Sequence, residues 1–353
     1  MTIPAPIQIL HLVAGLNAGG GEKMVFQLSS ILDQGEYTSH VLSLDSDSNL
    51  LVPQFIESGI KVESLNVRKK IVSIFSAIAR LHSYLKKNQI SIIHAHLYHA
   101  LVLAGLTKLI SPSLKIIWTS HSSHQTSFIR KFVVFLMRPL RKHDILFMED
   151  MKTWYTKNKY SIIPNGIAQP KFTDNIEKYD TFTFISVGRL EPVKNHQLLV
   201  EIFHKLSHIN CNLLIVGSGP EYSSLKAAID KFNLGARIQL LGYREDAAEL
   251  IAKSHCFLLP SLREGLPLVI LESALCKVPI IAFSQSLGNT LIGKDEGYIV
   301  DLTDFDKAML EVINNYENAR MKAEKFYSKV KQHYSLESCI QSHERLYAKI
   351  AQE

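Results

Sequence analysis

Residues 262 to 273 read LREGLPLVILES, with Glu264 and Glu272 separated by seven residues across a loop-to-helix junction. Pro267 suits the first helical position, and the run PLVILESALCK is apolar on nearly every face, which predicts a helix buried inside a domain. A carboxylate within such a helix needs a partner, because carboxylates are seldom fully buried unless a cation or a hydroxyl-rich ligand meets them. Glu264 and Gly265 precede the helix, where backbone amides and the positive end of the helix dipole can face an anion. Hydroxyls for the two carboxylates and phosphates for the amides describe a sugar nucleotide. The alternative is a structural ion pair at Glu272 with a surface Glu264.

Outward from this stretch, short apolar strands alternate with helices in both halves of the chain. QILHLVAG, HVLSL, SIIHAH, KIIWTSH and DILFM precede Ile163-Pro164-Asn165-Gly166; TFTFISVG, NLLIVG, RIQLLGY, CFLLP and PIIAF follow it. Such alternation predicts parallel sheets with helices on both faces, hence two Rossmann-like domains. Pro164-Asn165-Gly166 and the polar segment 168 to 180 form the expected linker. The halves share no sequence period. Ligands of open α/β sheets bind beyond the carboxyl ends of the strands, and the candidate motifs fall at those ends in both domains.

After TFTFISVG come Gly188 and Arg189, then Lys194 five residues on, with Asn195 placed to cap the next helix. Two cations on one loop suit a nucleoside diphosphate, whose negative charge grows as it departs; solvated surface charges are the alternative. Gly217 and Gly219 follow NLLIVG, but Tyr222 stands where a dinucleotide fingerprint needs its third glycine, so they read as a tight turn. Near the N-terminus Asn17-Ala18-Gly19-Gly20-Gly21-Glu22 joins a strand to a helix, where glycines let backbone approach a ligand. Histidines gather at His94, His96, His99, His121 and His124. His94 and His96 share a strand face, yet no carboxylate or cysteine accompanies them, so no metal site is expected. Asp45-Ser46-Asp47 lies in a polar loop and reads as chance.

These residues resemble family 4 of the retaining glycosyltransferases with the GT-B fold. Glu264 and Glu272 match its E-x7-E motif, GRLEPVKNH its GRL-x-x-x-KN motif, and residues 19 to 22 its GG-x-E loop, with Gly21 where alanine is common. The resemblance covers most of the chain. It implies an α/β GT-B architecture, two Rossmann-like domains facing each other across a cleft. The acceptor-side domain would span 1–166, with helix 336–353 packing back on it, and the nucleotide-sugar domain 167–335. By the same likeness, Glu264 binds donor-sugar hydroxyls, Glu272 the ribose, and Arg189 and Lys194 the diphosphate. Gly188, Gly217, Gly265, Leu266 and Pro267 line the donor, and Tyr243 and Arg244 lie at its base. His121 contacts the transferred sugar, and Gly19, Gly20, Gly21, Glu22 and His96 stand on the acceptor side. Glu264, His121, Arg189 and Lys194 are the implied catalytic residues, and neither metal nor cofactor is required. Ser286-Leu287-Gly288-Asn289-Thr290 departs from the family's Gly-Gly-acid pattern, so donor-loop details are not carried over there. A UDP-sugar 2-epimerase of the same fold and a catalytically silent nucleotide-sugar-binding protein are the alternatives.

At 353 residues and 46% hydrophobic, the chain has the composition of a soluble two-domain protein. Cys211, Cys256, Cys276 and Cys339 are far apart, without the spacing of a zinc ribbon or disulfide framework. No basic leader opens the chain and no run reaches the ~20 apolar residues of a membrane span, so a cytoplasmic setting is expected. Residues 66–87 and 128–143 carry no acid and together hold +11 against a net +6 for the whole chain, leaving the remainder acidic. Both interleave cations with large apolar residues, as helices lying on an anionic membrane do, so peripheral attachment to its cytoplasmic face is expected; surface helices with core-facing apolar sides are the alternative. Aliphatic residues outnumber stacking aromatics there, which disfavours nucleic acid. A lipid-linked glycan acceptor of bacterial glycan assembly follows from the basic stretches together with the resemblance.

Overall fold

A computed structural model of the protein describes residues 6–17, 19–32, 35–45, 51–67, 71–121, 127–169, 176–286 and 291–353. The chain divides into two compact units, Met1–Gly166 with Leu336–Glu353, and Ile167–Ser335.

In the first unit seven strands form one sheet: β1 (Ile7–Val13), β2 (Tyr37–Ser43), β3 (Lys61–Ser64), β4 (Ile92–His96), β5 (Lys115–Thr119), β6 (His143–Leu146) and β7 (Tyr160–Ile162). Their order is β3-β2-β1-β4-β5-β6-β7 and every pairing is parallel. Among the described residues the helices that connect them are α1 (Gly20–Leu32), α2 (Val52–Glu57), α3 (Ile71–Lys87), α4 (Leu97–Ile110) and α5 (Phe128–Leu136). Strand β4 is buried along its whole length, because helices cover both faces of a parallel sheet. Leu10, Leu12, Ile93 and Trp118 pack with Leu81 and Leu101 on one face. Ile9, Ile92 and Ile117 pack with Met24 and Leu28 on the other.

The second unit repeats the plan with β8 (Thr183–Val187), β9 (Asn212–Val216), β10 (Ile238–Gly242), β11 (Cys256–Leu259), β12 (Ile280–Phe283) and β13 (Tyr298–Val300), ordered β10-β9-β8-β11-β12-β13 and parallel throughout. Its helices are α6 (His196–Lys205), α7 (Tyr222–Lys231), α8 (Ala247–Lys253), α9 (Leu268–Leu275), α10 (Phe305–Asn314) and α11 (Tyr316–His333). The helix that follows, α12 (Leu336–Gln352), belongs to the first unit, where Ile340, Leu346, Tyr347 and Ile350 join the core around Ile9 and Ile92. Two Rossmann-like units are what the alternation predicts. The short β3, β7, β13 and α2 went unread because three to six residues carry too little periodicity.

The basic stretches behave differently from expectation in part. Arg141 is a core residue: its guanidinium sits 3.0 Å from Asp144 Oδ2, 4.8 Å from the centroid of the Trp118 ring, and donates to the Tyr155 carbonyl. Burial lowers the Arg141 guanidinium to about 10 and raises Asp144 to about 6 despite the pairing. Lys142 is tied to Glu353 at 2.8 Å. Arg80, Lys86, Lys87 and Arg130 stay exposed, and large apolar residues are exposed with them. Phe128 and Ile129 of α5 are each 73% exposed, and Phe132, Phe135 and Leu136 also face outward, while Val134 is buried. In α3, Ala77, Leu81 and Leu85 face the core and Phe75 stands out from it. Arg68, Lys69 and Lys70 lie outside the described residues. Among the described residues no helix is long and apolar enough to cross a membrane.

Candidate functional site

Within the second unit, three strand ends are stitched together by backbone. Gly188 N–H donates to the Val216 carbonyl (2.9 Å), Gly217 N–H to that of Gly242 (2.7 Å), and Leu190 N–H to that of Ser218 (2.9 Å). The glycines permit this approach. A β-carbon at Gly217, where φ is +145°, would stand 1.8 Å from the Gly188 carbonyl oxygen, and one at Gly219, φ +158°, would stand 2.4 Å from that of Leu190. The loop after β8 then makes a short turn, Pro192–Lys194, and Asn195 in the left-handed region (φ 56°) starts α6. Asn195 occupies the cap position but makes no side-chain cap bond. Its amide donates instead to the Pro260 carbonyl at 3.3 Å, because the left-handed backbone turns the side chain from the helix.

That turn brings Lys194 to Glu264: Nζ lies 2.7 Å from Oε1, with the two side chains 18% and 9% exposed. Leu262 N–H donates to the Val193 carbonyl and Glu264 N–H to that of Ser286, which hold the Glu264 loop beside the Lys194 turn. Arg189 is placed otherwise. It is half-exposed and paired with Glu191 at 2.9 Å, so the two cations do not converge in this state. Gly265, Leu266 and Pro267 are buried, and α9 begins at Leu268, one residue later than expected, because Pro267 has the extended ψ of 119°. Glu272 lies mid-helix, half-buried. Tyr243 is exposed beyond β10, and Arg244 is held by Asp246 through two bonds of 2.6 and 2.7 Å. Residues 287–290 lie outside the described residues.

Within the first unit, Gly19 immediately precedes α1, and Gly20, Gly21 and Glu22 form its first turn. The Glu22 carboxylate folds over Gly19, where a β-carbon would stand 2.3 Å from Oε2. Gly21 faces His121: a β-carbon there would be 3.1 Å from Nδ1. His121 follows β5, and its Nε2 is 2.9 Å from His96 Nδ1 on β4. His96 Nε2 in turn is 3.2 Å from His11 Nδ1 on β1. His94, two residues before His96 and so on the same face, bonds Tyr347 of α12 and Thr119 of β5 through its two nitrogens, both at 2.7 Å. Burial lowers His11 to about 3, His121 and His343 to about 4, and His94 and His96 well below the ordinary imidazole value. These rings are neutral at pH 7.

The structure thus gathers Gly188, Gly217, Lys194 and Glu264 in one unit, and Gly21, His96 and His121 in the other. It adds His11, Tyr347 and His343. The sequence signal for His11 was a polar residue inside the apolar run ILHLV; Tyr347 and His343 are remote in sequence and gave none. The nitrogens of His11, His94 and His96 lie within 4.8 Å of one another, a grouping that could hold a metal ion. Among the described residues, Asp45 remains of the Asp45-Asp47 pair; Asp47 and His124 lie outside them.

Two family models match adjoining parts of the chain: "Glycosyltransferase Family 4" over residues 18–168 and "Glycosyl transferases group 1" over residues 169–333. The chain is similar to an Escherichia coli UDP-Gal:alpha-D-GlcNAc-diphosphoundecaprenol alpha-1,3-galactosyltransferase, 27% identical over 338 residues that cover 86% of this chain and 84% of the relative. It is also similar to a Campylobacter jejuni diphospho-undecaprenol-linked 4-alpha-N-acetylgalactosaminyltransferase, 24% identical and covering 90% and 95%. Among solved structures, Anabaena HepE in complex with UDP and glucose superposes with a TM-score of 0.84 at 16% identity, covering 97% of this chain and all of the other, a likeness of fold.

Proposed function

The chain belongs to the family 4 glycosyltransferases of GT-B fold, and from that premise we propose that it moves a hexose or N-acetylhexosamine from a UDP-sugar to a lipid-linked glycan acceptor, with retention at the anomeric carbon. The observation that carries this reading is the shielded Lys194–Glu264 pair beside the Gly188 and Gly217 loops. A departing diphosphate gathers negative charge as the glycosidic bond breaks, and a fixed ammonium stabilises it more than water does. Glu264 takes the donor-sugar hydroxyls, Glu272 the ribose, and the amides ahead of α9 the phosphate oxygens. Arg189 reaches the diphosphate by leaving Glu191, an exchange its exposure makes inexpensive. His121 meets the transferred sugar, with Gly19 and the first turn of α1 (Gly20, Gly21, Glu22) on the acceptor side. Fixed cations and amides supply the charge a metal would otherwise bring.

The lipid-linked acceptor is supported by the two bacterial relatives, whose names specify undecaprenyl-diphosphate substrates. The exposed apolar face of α5, flanked by Arg130 and Lys131, suits insertion into an anionic membrane interface. Nucleotide release by the purified protein, with UDP- and GDP-sugars, lipid-diphosphate-sugar acceptors and EDTA, tests the proposal. Acceptor-dependent release of UDP is expected; release that needs a divalent metal, or isomerisation of donor alone, would overturn it.

A further inference from the structure

We propose that Arg130, held over the ring of Tyr98 at the start of α4, binds the diphosphate that joins the acceptor glycan to its lipid; this rests on the lipid-linked acceptor proposed above and gives it a subsite. Arg130, Val134 and Met137 stand at i, i+4 and i+7 along α5 and its C-cap, so they form one stripe. Val134 is buried, and Met137 packs against the same core. The third member of this inward stripe is an exposed arginine, whose guanidinium lies 5.2 Å from the centroid of the Tyr98 ring. Such a contact orients the guanidinium without neutralising it. Other cations of the stretch are engaged by protein groups: Arg138 by Asn158 and the Trp154 carbonyl, Arg141 by Asp144, Lys142 by Glu353. Among the described residues no ion pair engages Arg130.

The place suits a diphosphate with a sugar on one side and a lipid on the other. Strand β4 ends at His96 and α4 starts at Leu97, so Tyr98 and His99 follow the acceptor-side histidine within one helical turn. Strand β5 pairs with β4 at His96 and Thr119, which brings His121 to the same end of the sheet. Helices α3, α4 and α5 each follow a strand of this parallel sheet, so all three start at that end, and α4 packs against both of the others. Near their starts those neighbours carry exposed Phe75 and exposed Phe128 and Ile129. Apolar ground beside a cation, next to the sugar end of the sheet, matches a lipid diphosphate and not a free nucleotide. Burial, with the Arg130 charge beside it, lowers the His99 imidazole, so this exposed ring is neutral at pH 7 and can donate one hydrogen bond to a phosphate oxygen. The arginine fork meets two phosphate oxygens at once. An anionic lipid headgroup offers the same phosphate chemistry, and the experiment separates the two.

Calorimetric titration of the full-length protein with two soluble probes, decyl diphospho-N-acetylglucosamine and decyl N-acetylglucosaminide, reads the preference for the diphosphate without any membrane. Wild type should bind the first roughly 10- to 100-fold more tightly, the scale of hydrogen bonds to a charged group. Arg130→Met keeps the length of the side chain and should erase that preference, with affinity for the glycoside and for UDP unchanged. Arg130→Lys keeps the charge without the fork and should retain part of it. Arg80→Met removes an equal charge from α3 and should retain all of it. Equal affinity of wild type for the two probes, or an undiminished preference in Arg130→Met, would overturn the proposal. Reduced flotation of Arg130→Met with phosphatidylglycerol vesicles alongside that undiminished preference would assign the cation to lipid headgroups instead. Equal weakening of both probes would show a structural arginine and overturn it too. Loss of the preference in Arg130→Met, in a protein that transfers sugar to no acceptor, would remove the transferase reading and leave the diphosphate subsite standing.

Discussion

Lys194 and Glu264 stand 70 positions apart in sequence and share a 2.7 Å ion pair at the strand ends of one sheet. Each therefore fixes the rotamer of the other before any ligand arrives. Lys194→Ala and Glu264→Gln should each lower kcat by about 10²–10³, the scale seen when one aimed charge or donor is removed. The double substitution should cost little more than either single one, since the groups act as a unit. Additive losses in steady-state kinetics would refute the unit.

Gly217 is expected to tolerate no side chain. Gly217→Ala puts a methyl group 1.8 Å from the Gly188 carbonyl oxygen in a backbone conformation L-residues rarely adopt. Gly235→Ala meets nothing within 4 Å and serves as the control. Thermal unfolding should be unchanged for Gly235→Ala and lowered for Gly217→Ala, which should also lose donor affinity.

The buried histidines make stability depend on acid. His11, His94, His96, His121 and His343 have folded-state values lowered by burial, so below pH about 6.5 the unfolded chain binds more protons than the native one. Their contribution is complete above that pH and is lost as pH falls toward 4. Each ring can weaken folding by up to about 1.4 kcal/mol per pH unit in that window. Urea midpoints should fall steeply between pH 6.5 and 5, and less steeply in His343→Leu.

Arg141 and the α5 face should separate in their effects. Arg141→Ala leaves Asp144 buried without its cation and should cost roughly 3–5 kcal/mol of stability, with vesicle binding by the remaining folded protein unchanged. Phe128→Ser with Phe132→Ser should leave the melting temperature near wild type and abolish flotation with anionic liposomes. Flotation undiminished in that double variant would remove membrane docking by α5.

The parts legible in sequence were those with a local signature. Alternation along QILHLV and NLLIVG is enough for parallel strands, and the spacing of Glu264 and Glu272 marks a helix mouth. What escaped depends on contacts between remote residues. Arg141 reads as surface charge until Asp144 and Trp118 are seen against it, and the left-handed Asn195 gives no sign that its amide serves Pro260. His11 looks like an isolated polar residue because its partners come from β4 and α12. Arg189 and Lys194 share a loop, yet the backbone between them sends one to Glu191 and the other to Glu264.

Helix α12 is synthesised after the whole second unit but supplies Tyr347 to His94 and apolar residues to the face around Ile9 and Ile92. On the ribosome the first unit must wait with the part of that face that α1 does not cover still open while residues 167–335 emerge. An interrupted chain therefore keeps apolar sheet surface and His94 without their α12 contacts until synthesis is complete.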